Sequence, residues 1–248
     1  MKIFISKIKY PLAIIFWLVV WQVVSNIISN SIIIVSPLAA FSRLFELVRE
    51  FDFWMSVSFS LIRILLGFLL AVFVGITSAA FTSYSNALYI LLLPLFNIIK
   101  SIPVASFTIL ALMWIDSRNL SVFIAFTAVL PIVYFNTFEG IKNTDIRLLE
   151  MAQVFRVPVL KTILYVYIPH VLPYVISAAA SGLGFAFKSG VAAELIGLAR
   201  GTIGFNLHTA RIFLQTSDLF AWTIAIVLLS YSMEKVLLIC LKRVEKWQ

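Results

Sequence analysis

Six stretches of this chain stay apolar for long enough to cross a hydrocarbon layer: roughly 11–28, 57–81, 88–114, 120–138, 171–195 and 219–241. About twenty apolar residues in helical form span a bilayer, where no water is present to satisfy an open backbone. The runs are continuous rather than alternating, so they predict helices and not barrel strands. Hydrophobic residues make up 62% of the chain and charged residues only 12%, far from the balance of a soluble domain. The expectation is an all-α integral membrane protein with one transmembrane domain over 1–248. The opening MKIFISKIKY and the run after it read as a retained first span. The run is long for a signal core, and SNIISNS offers no small-x-small cleavage site.

Six spans put both termini on one side, and basic residues decide which. Lys2, Lys7, Lys9, Lys142, Arg147, Arg156, Lys161, Lys242, Arg243 and Lys246 fall on the side of the termini; Arg43, Arg49, Arg118, Arg200 and Arg211 fall on the other. Cytoplasmic termini are expected. The net charge of +8 then reflects orientation and anionic headgroups, and no basic-aromatic patch points to nucleic acid. Trp54, Trp114 and Trp247 fall near the proposed interfaces, as an aromatic belt does. Residues 43–50 alternate apolar and charged positions like an amphipathic helix lying at the outer interface. Cys240 stands alone, which excludes an intrachain disulfide.

The chain contains no GxxxxGK[ST] loop, no HExxH and no His/Asp/Glu cluster at ligand spacing, so no catalytic or metal residue is assigned. Ser181 lies between small residues, but His170 and His208 are placed at opposite membrane faces. An intramembrane hydrolase would lack base and nucleophile at one depth. The third span is interrupted by Pro94 and Pro103 and carries Lys100-Ser101, which is tolerated only beside protein or a water-filled cavity. Arg63, Lys100, Ser101, Pro103, Lys188 and Glu194 are therefore candidate pathway residues; for Arg63 the alternative is snorkelling or a structural pair. Lys188 and Glu194 are about 9 Å apart along a helix and on different faces. Ser177 to Gly184 is rich in small residues, which suits close helix packing.

Between the fourth and fifth spans, about 140–168, lies a polar island with Arg147, Glu150, Gln153, Arg156 and Lys161. Asp145 can cap a helix over 146–154, and Pro158 suits the first turn of a second one. Leu148, Met151, Ala152 and Phe155 share a face by their spacing. Pro169 and Pro173 mark re-entry into the membrane. Two helices joined by a tight turn transmit movement as a lever, which a loose loop does not.

This island resembles the cytoplasmic signature EAAxxxGx(n)ILP of the inner-membrane permeases of ATP-binding-cassette importers. Glu150-Met151-Ala152 stands for its first part, and Ile168-Pro169 and Leu172-Pro173 follow at the family's distances. Arg156 occupies the glycine position, where a left-handed turn costs other residues about 1 kcal/mol or more. Either the turn is built differently or its arginine touches the partner. Further stretches are similar to the nitrate/sulfonate/taurine-type permeases: Ser60 to Phe68, Lys100-Ser101-Ile102-Pro103, Lys188 to Gly197, and Gly201-Thr202-Ile203-Gly204 with Ala210-Arg211.

The resemblance implies a type I importer permease, multi-pass in a bacterial cytoplasmic membrane, without catalysis of its own. It implies a second permease copy, a cytoplasmic ATPase dimer that binds ATP-Mg, and an extracytoplasmic solute-binding protein. This chain itself would bind no cofactor. ATPase contact would fall on Glu150, Met151, Ala152, Gln153, Arg156, Val157 and Pro158. A small anionic or heterocyclic solute suits the pathway cations and the family. The competing reading is a self-contained secondary transporter or channel, which six spans also allow but which leaves the island's spacing without a purpose.

Overall fold

The computed structural model describes the backbone of residues 2–245 and side chains from 12 to 240. The terminal basic residues of the orientation count, and Trp247, lie outside the described side chains. All regular structure among the described residues is helical. In order the helices are α1 (Lys2–Ile28), α2 (Pro37–Leu47), α3 (Phe51–Tyr84), α4 (Asn86–Ser101), α5 (Val104–Ala111), α6 (Ser117–Lys142), α7 (Ile146–Val154) and α8 (Val159–Thr162). A π-helical turn (Ile163–Tyr167) leads into α9 (Ile168–Gly197), followed by α10 (Ile203–Ile212) and α11 (Thr216–Glu245). Among the described residues four helices are long and apolar enough to cross a membrane: Phe51–Tyr84, Ser117–Lys142, Val159–Gly197 and Thr216–Cys240. The pair α4 and α5, bent by 103°, makes a fifth if it is counted as one, and Leu12–Ile28 is a shorter apolar helix.

The core lies where α6 packs between α3 and α9. Lipid tails are as apolar as leucine, so contact between helices relies on small residues that let backbones approach. A Cβ on Gly67 of α3 would stand 2.3 Å from the Val122 carbonyl oxygen of α6. On α9 the residues Ala178, Ala179, Gly182, Ala186 and Gly190 are buried. The opposite face of α3 exposes Phe59, Ile62, Leu66, Leu69, Leu70 and Phe73, which suits lipid.

The bend between α4 and α5 has a local cause. Pro103 has no N–H and forces Ile102 into extended backbone, φ −75° and ψ 128°. Tyr89 stacks on Phe138 at 5.0 Å, Phe96 on Tyr134 at 4.0 Å, and Phe107 on Phe123 at 5.6 Å. The pair thus climbs α6 from its last turns to its first, as a broken crossing does.

Pro169 and Pro173, the expected marks of membrane re-entry, lie within a helix that they do not interrupt. Helix continues from Val159 to Gly197, 39 residues, or about 58 Å at 1.5 Å per residue. The π turn accounts for this: the Ile168 N–H reaches the Ile163 carbonyl, and the wider ring makes room for Pro169 without ending the helix. Pro158 stands at the N-cap of α8, one position before the expected first turn.

At the end of the bundle opposite α7, the predicted amphipathic segment forms the end of α2, capped by Ser36 with Pro37 at its first turn. It packs against α11 and buries Pro37, Ala40 and Leu47. Arg43 bonds Asp218 at the start of α11, with Nη2 to Oδ2 at 3.3 Å, and reaches Glu46 at 2.9 Å. These bonds hold its guanidinium above its ordinary pKa.

Candidate docking corner and membrane cleft

The polar island folds into two helices meeting at a corner. Asp145 accepts the Arg147 N–H at 2.9 Å and caps α7. At its other end the Val157 N–H bonds the Ala152 carbonyl at 2.8 Å and the Arg156 N–H bonds that of Gln153 at 3.0 Å. That pair of bonds is a Schellman motif, which requires a left-handed residue between them. Arg156 supplies it with φ +49°. The turn has the build that glycine would allow, held by an arginine.

Burial at the corner does not follow the apolar face read from spacing. Ala152 is buried, whereas Met151 is exposed, and Val154, Phe155 and Val159 are 79%, 75% and 77% exposed. Glu150, Gln153, Arg156 and Pro158 are exposed beside them, and Val157 is half-buried. A cleft of about 280 Å³ lies in the crook, lined by Leu149, Gln153, Arg156, Thr162 and Tyr167 among others. Apolar side chains are thus uncovered next to charges at the turn where the long apolar helix begins, the mark of an interaction surface.

A second cleft, also about 280 Å³, opens at the α4–α5 bend against α6 and α9. Lys100 lines it, with Nζ 5.3 Å from the Phe135 ring centroid, a cation–π distance. Asn136 also lines it and spends its amide N–H on the Ile132 carbonyl at 2.8 Å, which leaves its carbonyl oxygen for other partners. Ser101 is exposed and donates back to the Asn97 carbonyl at 2.8 Å; Pro103 caps α5. Phe185 of α9 closes the cleft. Along α9, Phe185 belongs to an exposed stripe with Ser177, Ser181 and Lys188. Ser177 and Ser181, although part of the small-residue run suited to packing, are thus uncovered. Only their neighbours Ala178, Ala179 and Gly182 pack.

Glu194 lies elsewhere. It is 0% exposed, and its Oε2 accepts the Ser60 hydroxyl at 2.7 Å and the Gly204 N–H at 3.3 Å. Ser60 in turn accepts the Ile203 N–H at 2.9 Å. Thr202 caps α10 by accepting the Phe205 N–H at 3.2 Å. The first N–H groups of α10 are thus all taken up, and the Glu194 carboxyl group sits at the positive end of its dipole. Here Glu194 fixes α10 between α3 and α9. Arg63, one turn on from Ser60, is half-buried with its carbon 5.8 Å from the Phe59 ring centroid. Lys188 and Glu194 are not brought together: one is exposed and the other sealed.

Ser60, Thr202 and Gly204 stood inside the matched stretches without a role. Ser56, which accepts from Asn206 at 3.0 Å, lies one turn before Ser60. Polar residues four apart on an apolar helix were the signal available for this pair.

A sequence profile of the family described as binding-protein-dependent transport system inner membrane component matches residues 67–247. A Bacillus subtilis protein provisionally named aliphatic sulfonates transport permease protein SsuC is 29% identical over 205 residues, 82% of this chain and 74% of that one. The taurine transport system permease protein TauC of Escherichia coli is 26% identical over 195 residues, 78% of this chain and 70% of that one. A crystal structure described as an amino acid ABC transporter with histidines has the same fold, with a TM-score of 0.56 at 17% identity over 78% of this chain and 94% of that one.

Proposed function

The chain belongs to the binding-protein-dependent transport system inner membrane component family, and from that premise we propose how this importer permease subunit works. The α7 corner is the docking site of a cytoplasmic ATPase pair, which binds and hydrolyses ATP-Mg while this chain hydrolyses nothing. The observation that carries this reading is the exposure of Val154, Phe155 and Val159 at the turn where the long apolar helix begins. An apolar surface rimmed by Glu150, Arg156 and Lys161 suits a protein partner. The continuous helix from Val159 to Gly197 then carries corner movement into the membrane, so ATPase closure becomes alternating access.

The solute path runs along the α9 stripe of Ser177, Ser181, Phe185 and Lys188 and past Lys100 in the neighbouring cleft. Polar side chains at membrane depth are tolerated where they face a water-filled path or another protein. A second copy of this chain placed against that face completes the path. Lys100 and Lys188 suit a small anion, as the sulfonate and taurine names of the relatives also do. An external solute-binding protein delivers it at the α10 end, and the α7 end with both termini faces the cytoplasm of a bacterial inner membrane.

The test is purification with the cognate ATPase. Glu150→Arg and Phe155→Asp should abolish co-purification and leave the helical fold intact. Solute uptake by the chain alone in liposomes without ATP would overturn the proposal in favour of a self-contained transporter.

A further inference from the structure

At the α7 end of the bundle, the last turn of α3, the first turn of α4 and the last turns of α6 enclose a pocket of about 350 Å³. Its floor is aromatic: Tyr89 stacks on Phe138 at 5.0 Å, and the Lys142 Nζ lies 5.6 Å from the Phe138 centroid. Two of its hydroxyls are already committed. Thr82 donates to Ser78 at 2.9 Å and accepts from Tyr134 at 3.2 Å, and Ser83 donates to Ala80 at 2.8 Å. The remaining polar groups are the Lys142 ammonium, the Asn86 amide and the Tyr84 and Tyr89 hydroxyls. Among the described residues these make no side-chain hydrogen bond or ion pair, and no carboxylate lines the pocket. Glu139, on the same part of α6, accepts instead from Asn143 at 3.1 Å.

We infer that this pocket binds the phosphodiester of a membrane phospholipid with an uncharged headgroup, such as phosphatidylglycerol. One ammonium and several neutral donors match a single-charge phosphate, with charge-assisted bonds available to its oxygens. A zwitterionic headgroup would bring an ammonium that no lining carboxylate can receive. Depth favours a lipid over free phosphate. Both α3 and α6 end here, so the pocket lies at the level of headgroups. Its flanks are apolar and open outward: Phe81, Ile90 and Leu91 are 65%, 64% and 68% exposed, where acyl chains lie. The lipid then bridges α3, α4 and α6 at the base of the corner-bearing end of the bundle.

Delipidated permease, titrated with phosphatidylglycerol or phosphatidylcholine and read by native mass spectrometry, tests this directly. Wild-type protein should retain one phosphatidylglycerol per chain in preference to phosphatidylcholine. Lys142→Gln should weaken that retention by about fivefold, the worth of one lysine near an anionic headgroup. Asn86→Leu is the second variant and should weaken it in the same direction if Lys142→Gln misfolds. Millimolar inorganic phosphate should not displace the lipid. Equal retention by the variants overturns the inference. So does displacement by phosphate, which would mark a soluble-anion site, or loss of ATPase co-purification with lipid retention unchanged, which would mark a protein contact.

Discussion

Ser60 of α3 and Glu194 of α9 meet at 2.7 Å in a site closed to solvent, and the same carboxylate oxygen receives the Gly204 N–H that opens α10. One oxygen atom thus joins α3 to the consecutive helices α9 and α10, far from it in sequence. A carboxyl group at this depth is costly; the bonds to Oε2 offset part of that cost, while the buried Oε1 has no hydrogen-bond partner among the described residues.

Removing either partner leaves buried polar groups unmade. Ser60→Ala strands both the Ile203 N–H and a bond to Glu194, and should cost about 1–3 kcal/mol. Glu194→Gln keeps an acceptor oxygen for Ser60 and Gly204 and should cost less than Glu194→Ala. Chemical denaturation in detergent, followed by circular dichroism, ranks the three.

Gly204 is needed for reasons of space. A Cβ there would stand 2.4 Å from the Glu194 Cβ and 2.5 Å from the Leu195 nitrogen. Backbone on one side cannot swing away, so Gly204→Ala should push α10 off α9 at a cost of about 1–3 kcal/mol. Gly184 is the control, since an added Cβ meets nothing within 4 Å. Gly184→Ala should be neutral or stabilise by up to about 1 kcal/mol through helix propensity. A change in transport without a change in stability at Gly184 would support the α9 stripe as the solute path.

Arg156 carries a left-handed turn that glycine adopts freely. Arg156→Gly should therefore stabilise the isolated chain by about 1 kcal/mol. If the guanidinium also touches the ATPase, the same variant should lower co-purification. Stability and partner binding then move in opposite directions, which a purely conformational role does not produce.

Arg43 and Asp218 tie α2 to α11 in a partly buried pair, whereas Glu50 approaches Arg43 only to 3.8 Å with more than half of its side chain exposed. Asp218→Asn should cost about 1 kcal/mol and Glu50→Gln close to nothing, as solvent-screened pairs do. Thermal unfolding at low and high salt separates them.

The sequence by itself determined the helical membrane class, the cap at Asp145, the place of the corner and the broken third span. Each follows from local rules: apolar run length, capping chemistry, and the N–H that Pro103 lacks. It also carried the family, through short stretches in fixed order. Only the tertiary structure decided which face of each helix is covered. Ser177 and Ala178 are neighbours of similar size, yet one is exposed and the other packed, because α6 lies on one side of α9 alone. It likewise separated Lys188 from Glu194: on one apolar helix both read as pathway charges, and only the approach of α3 and α10 turns Glu194 into an anchor. Arg156 is the reverse case, where local strain argued against a left-handed turn and the two carbonyl bonds of the Schellman motif hold it in place.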